Sequence, residues 1–268
     1  MDNDYVHGYS PRESVRLEDQ ANCLNELLHH DSVFPPGSTI LEAGCGTGAQ
    51  TKILAPKNPG CRFVSIDISD ESLRKASSLI QSLNIDNVEF QKGDIFNLQF
   101  PEAAFDHIVV CFVLEHLPRP VNALLALKKV LKKVGTITII EGDHDSTFFY
   151  PDSRDAREAI NAQVTLQSLA GGNACIGREL YPLLNRADFK NCRVSPRMVY
   201  VDSSKPEFVE GFTKNTFTAM IEGIRERVIE RTVFDIVQFD RGVHDLYRTA
   251  ETDGVFCYTF FKGTGVNG

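Results

Sequence analysis

Seven cysteines are spread along the 268-residue chain without a single CxxC pair or a His-Cys cluster at zinc spacing, so no metal site is expected. Their odd number, with no secretory leader to accompany it, points to reduced thiols and a cytoplasmic setting. No apolar run approaches the roughly 18 residues that a bilayer-spanning helix needs, which excludes an integral membrane segment from the expectations. Basic charge is also scarce: 28 Lys and Arg stand against 36 Asp and Glu, and the resulting net charge of −8 speaks against nucleic acid as a partner. The group Lys128, Lys129, Lys132 and Lys133 reads as the solvated, favourably charged C-terminal end of a helix. No stretch rich in Pro, Gly or Ser divides the chain, so residues 1–268 are expected to form one α/β domain.

The most informative stretch runs from Thr39 to Gly48, where a short apolar run meets Glu42 and then glycines at alternate positions, Gly44, Gly46 and Gly48. A strand that drives into such a loop lets another molecule touch bare main chain, because glycine tolerates positive φ and has no Cβ to hold a ligand away. The spacing differs from the dinucleotide fingerprint G-x-G-x-x-G, since the third glycine comes one position early; this disfavours an NAD-dependent oxidoreductase. Glu42 beside the loop would suit an ammonium group better than a phosphate. S-adenosylmethionine carries an ammonium and a sulfonium and no phosphate.

Arg62 to Asp67 is a second apolar run that ends in an acid, nineteen residues after Gly48. A carboxylate at that distance accepts from ribose hydroxyls in nucleotide-binding α/β folds; the alternative is that Asp67 caps the helix opened by Ser69 and Asp70. Val88 to Ile95 forms a third strand with Asp94 just beyond it, where the acid can accept from an adenine amine while Ile95 packs on the ring. Ile68, next to Asp67, joins the same candidate pocket.

With these residues in place, the chain resembles the class I S-adenosylmethionine-dependent methyltransferases. The resemblance rests on Leu41-Glu42-Ala43-Gly44-Cys45-Gly46-Thr47-Gly48, Asp67, Gly93-Asp94, Phe105-Asp106 and Val113-Leu114-Glu115-His116-Leu117. It covers about residues 39–141 and is similar to the branch that holds the ubiquinone and menaquinone C-methyltransferases and many small-molecule enzymes. What the resemblance implies is that Gly44, Gly46 and Gly48 flank the methionine part of the cofactor, Asp67 the ribose, and Asp94 with Ile95 the adenine, with Cys111 beside it. The implied fold is a Rossmann-like, doubly wound seven-stranded sheet, mostly parallel, with an N-terminal helix and a helical insertion before the last strand. One departure is Lys133-Val134-Gly135, which replaces the family's Pro-Gly-Gly turn before the fifth strand.

Ser10-Pro11-Arg12-Glu13 is a capping box that predicts a helix over about 10–30, with Leu17, Ala21, Leu24 and Leu28 on one face. In the resembling family such a helix covers the cofactor, so Tyr9 and Arg16 are candidates at its methionine end; the alternative is a surface tyrosine and a solvated arginine. A first core helix is expected over Thr47–Leu54, broken at Pro56, and a second with Leu73, Ala76, Ile80 and Leu83 buried. Strand four is read at 107–112 and strand five at 136–140. Helices are read at 152–168 and 178–187, and the last two strands at 193–201 and 255–261. The core is thus read as about 38–205 and 251–263. Helices within 206–250, carrying Phe208, Phe212, Phe217, Ile221, Ile224 and Val228, form a cap or a homodimer contact, their phenylalanines packing as core or lining a ligand cage.

Methyl transfer from a sulfonium is an in-line displacement that needs the acceptor within about 3–3.5 Å of the methyl, so alignment supplies much of the catalysis. A base helps where the acceptor must lose a proton. Glu115 and His116 after strand four, and Glu141, Asp143 and His144 after strand five, are expected to face the acceptor. His144 is the first choice as base or substrate anchor, the alternative being a loop histidine bonded to backbone. His29 and His30 are read as capping or solvent residues. The expected reaction is methyl transfer to a small molecule, with a quinone-precursor C-methyltransferase or a noncatalytic nucleoside-binding regulator as alternatives.

Overall fold

The computed structural model describes residues 16, 21, 23–232 and 234–268. Helix α1 (23–29) is followed by β1 (Thr39–Ala43), α2 (Thr51–Lys57), β2 (Arg62–Asp67), α3 (Asp70–Ser82), β3 (Val88–Lys92), β4 (Phe105–Cys111), α4 (Pro120–Val130) and β5 (Leu131–Tyr150). Then come α5 (Arg154–Leu169), α6 (Leu180–Arg186) and β6 (Lys190–Asp202). Helix α7 (Pro206–Phe208) runs into a π-helical stretch (Val209–Thr218), and α8 (Ala219–Gly223), α9 (Arg225–Arg231), α10 (Ile236–Arg248) and β7 (Val255–Val266) complete the order.

The strands form one seven-stranded sheet in the order β3-β2-β1-β4-β5-β7-β6, the Rossmann-like arrangement expected from the alternation of strands and helices. Pairings from β3 through β5 are parallel. Strand β7 is antiparallel: the amide of Val134 in β5 reaches the Asn267 carbonyl at 2.8 Å, whereas further along β5 Ser146 meets Thr259 at 3.0 Å, so partner numbers fall as those of β5 rise. Strands β1 and β4 are apolar throughout their centres because parallel strands with neighbours on both sides are covered on both faces.

The described chain separates into two compact units. The glycine-loop unit comprises Asn25–Glu141, Ile176–Pro196 and Phe261–Gly268. Its core joins Leu41, Ile66, Ile108, Val110, Leu127 and Ile139 of the sheet and helices to Leu180, Leu184 and Phe189. The aromatic unit comprises Gly142–Cys175 and Arg197–Phe260, with the described residues before Asn25. The predicted insertion at 206–250 therefore groups with α5 rather than standing alone, and α5 and α10 pack on each other within that unit. Of the predicted phenylalanines, Phe212 and Phe217 are core, packing in tilted and edge-on contacts around Phe256 and Tyr258, whereas Phe208 is half-buried.

Several boundaries differ from the expectations. Helix α2 begins at Thr51, not Thr47, because Gly48 at φ +86° is left-handed and cannot lie inside an α-helix. It then runs through Pro56, whose missing N–H falls in the last turn, where it costs a single hydrogen bond. Leu83 is the C-cap residue of α3 and is exposed; Ser72 takes its place in the buried stripe with Ala76 and Ile80. Strand β5 is far longer than 136–140. Lys132 and Lys133 belong to it rather than to a helix, and Lys132 pairs with Asp106 at 2.8 Å. Across the irregularity between Phe105 and His107, whose partners are Leu131 and Thr136, the predicted Lys133-Val134-Gly135 turn is an outward loop within β5, with Val134 at φ +57°. The capping box at Ser10 and Leu17 lie outside the described residues, whereas Ala21, Leu24 and Leu28 are buried as predicted.

Candidate active site

The carboxyl ends of β1, β2, β3 and β4 lie in the glycine-loop unit, and the parallel sheet brings their loops together. The amides of Gly44 and Cys45 both donate to the Ile66 carbonyl, at 2.8 and 2.9 Å, which binds the glycine turn to the end of β2. All three glycines are left-handed, at φ +81°, +52° and +86°. A Cβ on Gly44 would lie 2.5 Å from Val113 Cγ2, and one on Gly48 would lie 3.1 Å from the Cβ of Ala76. A Cβ on Gly46 would meet nothing within 4 Å among the described residues.

Asp67 ties this turn to the next loop. Its Oδ2 accepts from the Gly46 amide and its Oδ1 from the Ser69 amide, both at 2.9 Å. The helix cap proper is Ser69, whose hydroxyl accepts from the Ser72 amide, so the two readings of Asp67 are not exclusive. Each carboxylate oxygen keeps a second lone-pair direction after one backbone bond. Asp94 is exposed and accepts from the Phe96 amide at 2.9 Å, while Ile95 is buried and Ile68 is 58% exposed. Ile68, Gly93, Asp94, Asn97 and Phe100 line a depression of about 490 Å³.

Glu42 is buried, and its Oε2 accepts from the Thr51 and Ser65 hydroxyls, each at 2.7 Å. Burial pushes its carboxyl up, against the pull of those two hydroxyls. It braces β1 against α2 and β2 from beneath the turn, rather than standing exposed beside it. Cys111 is buried at the end of β4, and burial raises its thiol well above the ordinary range. Glu115 is buried too, and His116 Nε2 lies 3.5 Å from its carboxylate.

Glu141, Asp143 and His144 do not follow β5; they lie inside it and all three are buried. The aromatic unit holds Asp143 and His144. His144 Nδ1 lies 3.0 Å from the Ala174 carbonyl and 3.1 Å from the Tyr258 hydroxyl, and the ring packs against Phe217. Tyr258 was not singled out from the sequence. The period-two run Phe256, Tyr258, Phe260 was the available signal, since alternate residues of a strand share a face. Gly142 makes room for it, because a Cβ there would come within 2.2 Å of the hydroxyl.

Arg16 is buried, which removes the solvated alternative, and Tyr9 lies outside the described residues. His29 also departs from expectation. It is 1% exposed, with Nε2 at 2.7 Å from Gln50 Oε1 and Nδ1 at 3.1 Å from Ser32 Oγ. Lys262, equally buried, reaches the same Ser32 hydroxyl at 2.8 Å and Asp31 at 2.6 Å. This network fastens α1 to the residue that precedes α2. His30 is exposed and bonds the Glu26 carbonyl, as a helix-end residue does.

Comparison with known proteins agrees with this geometry. The profile of the family described as "Methyltransferase domain" matches residues 35–188. An uncharacterized methyltransferase of Schizosaccharomyces pombe is 33% identical over 147 residues, which is 53% of this chain and 52% of that protein. A demethylmenaquinone methyltransferase of Listeria welshimeri is 26% identical over 106 residues, 39% of this chain and 45% of that one. The chain spans about half the length of the curated relatives it matches. Among solved structures, the YcgJ protein of Bacillus subtilis superposes with a TM-score of 0.56 at 16% identity, covering 91% of this chain and 97% of that one, which shows a shared fold. No helix among the described residues is long and apolar enough to cross a membrane. With the glycine turn, the strand-end acids and a profile that spans more than half of its length, the chain belongs to the methyltransferase-domain family.

Proposed function

We propose that this protein transfers a methyl group from S-adenosylmethionine to a small-molecule acceptor. The observation that carries the reading is the left-handed turn Gly44–Gly48, open at Gly46 and bonded through the Gly46 amide to Asp67. The residues fit the cofactor. Asp67 retains acceptor capacity for ribose hydroxyls, Asp94 lies exposed beside the depression for an adenine amine, and Ile68 supplies apolar surface for the ring, with Ile95 buried behind Asp94. Among the described residues the turn places no side chain in the way at Gly46. When bound, S-adenosylmethionine supplies a methyl group activated by its sulfonium. The chain's share is to orient and to exclude water, so that an acceptor lone pair meets the methyl in line.

His144 is the assigned base or anchor on the acceptor side. An Nδ1–H committed to the Ala174 carbonyl leaves Nε2 as the basic nitrogen of the neutral ring, which is the form a general base needs. A reduced quinone precursor is one acceptor class to test, because a relative of this chain is named a demethylmenaquinone methyltransferase. The first experiment is calorimetric titration with S-adenosylmethionine, S-adenosylhomocysteine and NAD. Binding of the first two, with a loss of at least about tenfold in Asp67→Ala, is the expected result, since hydrogen bonds to charged groups contribute about 1.5–3 kcal/mol each. Binding of NAD alone, or unchanged affinity in that variant, refutes the reading.

A further inference from the structure

Glu141 occupies the last position of β5 within the glycine-loop unit and is 0% exposed. One of its oxygens, Oε1, accepts from two backbone amides of a single turn, Val113 at 3.0 Å and Leu114 at 2.7 Å, and the Glu115 amide also faces the carboxyl group. The other, Oε2, is enclosed and has no hydrogen-bond partner among the described residues. The turn so gripped is an unusual one. It begins with Phe112 at φ +58°, a conformation that a bulky side chain rarely adopts and that persists only where the surroundings hold it. The Phe112 amide is itself fixed to the Ile140 carbonyl at 2.9 Å. The next residue, Val113, lies over the glycine turn, its Cγ2 filling the space that a Cβ on Gly44 would need.

We propose that Glu141 is a positioning residue for cofactor binding: its buried carboxyl group splints the turn at residues 113–115 through their amides and thereby seats Val113 on Gly44, which sets the shape of the cofactor turn. The surroundings favour the neutral form: the nearby acid is Glu115, and burial followed by repulsion from Glu115 pushes the carboxyl well above its ordinary range, against the opposing pull of the turn's amides. A neutral carboxyl can still accept the turn's amides at its carbonyl oxygen, whereas a buried, unpaired carboxylate would carry a large desolvation penalty. The fully apolar side chains usual in this part of a central strand could not accept those amides, and the buried Leu114 N–H and part-buried Val113 N–H would lose their partner.

The inference rests on the S-adenosylmethionine reading, and titration with S-adenosylhomocysteine separates the two: a wild-type protein that does not bind sinks the cofactor reading itself. Given wild-type binding, Glu141→Gln is expected to keep affinity within about twofold, because an amide has the same carbonyl acceptor and a donor where the neutral acid has its hydroxyl. Glu141→Ala is expected to lose about tenfold, having stranded the turn's amides. Should that variant fail to fold, Val113→Ala tests the same chain of contacts at its other end, with about a threefold loss expected. Infrared difference spectra of wild type against Glu141→Gln at neutral pH should show the carbonyl band of a protonated carboxyl. Loss of affinity in Glu141→Gln equal to that in Glu141→Ala would reveal an anionic contact to the ligand and overturn the proposal. So would an ionised-carboxylate band in its place, or wild-type affinity in Val113→Ala.

Discussion

The two units of this protein are organised by different physics. In the glycine-loop unit the candidate site is made largely of main chain: turn amides bonded to the Ile66 carbonyl, to Asp67 and to Glu141, with glycines where side chains would collide. In the aromatic unit the corresponding centre is made of side chains from distant positions. His144, Tyr258, Phe212 and Phe217 come from two strands and a π-helical stretch, and meet by packing rather than by a local pattern. A binding turn built from backbone tolerates little change in conformation but presents the same groups whatever its neighbours. A centre built from side chains can be altered residue by residue.

That contrast can be tested from both sides. The largest effect is expected at His144. If its Nε2 removes a proton from the acceptor, His144→Gln should lower turnover by about 10²–10⁴-fold while leaving affinity for S-adenosylhomocysteine unchanged. The acceptor would first be found by a metabolite screen with labelled methyl donor. A variant that loses only thermal stability would assign the histidine to packing.

Acid should expose the buried network of the glycine-loop unit. Burial, with Lys262 nearby and against the opposing bond to Gln50, lowers the His29 pKa from 6.5 to about 4. The unfolded chain therefore binds this proton at higher pH than the folded one. Stability is unaffected above about pH 6.5, falls as the pH drops, and levels off below about pH 4, for a total loss of about 3 kcal/mol. Denaturant unfolding across that window measures the slope, and His29→Gln should remove this residue's share of it. A slope unchanged in the variant would place the acid sensitivity elsewhere.

A smaller but sharper effect is expected at Gly44. Alanine there must adopt a left-handed conformation at a cost of about 1–2 kcal/mol, and its Cβ must displace Val113. Gly44→Ala should therefore lower the unfolding midpoint and weaken S-adenosylhomocysteine binding together. Gly46→Ala, whose Cβ meets nothing within 4 Å among the described residues, should bear only the conformational cost and any contact with the ligand. Equal effects on stability at the two positions would contradict the role given to Val113.

Much of the glycine-loop unit was legible because its signals are short in range. Strands β1, β2 and β4 announce themselves as largely apolar runs and β3 as an alternating one, Asp67 and Asp94 stand at strand ends, and the glycine spacing separates the turn from a dinucleotide site. The start of α2 was misplaced because sequence alone does not say which glycine is left-handed; Gly48 is, and the helix waits until Thr51. The placement of Glu141, Asp143 and His144 in a loop failed for a different reason. Glu-Gly-Asp-His-Asp-Ser reads as a strand terminator, yet the strand continues to Tyr150 because β7 supplies a partner from more than a hundred residues away. That Glu42 is buried, with Oε2 held by two hydroxyls, had no local signal either, since Thr51 and Ser65 reach it from other elements.

By itself the sequence determined the fold class, the membership of a methyltransferase family and the backbone turn with its strand-end acids, since strand periodicity, glycine conformation and residue spacing are properties of neighbours along the chain. Only the tertiary structure decided which carboxyls are buried struts, which histidines are enclosed, and that Val113 closes over Gly44 and Tyr258 reaches His144. Those outcomes depend on desolvation and close packing between residues far apart in the chain, and neither has a local signature.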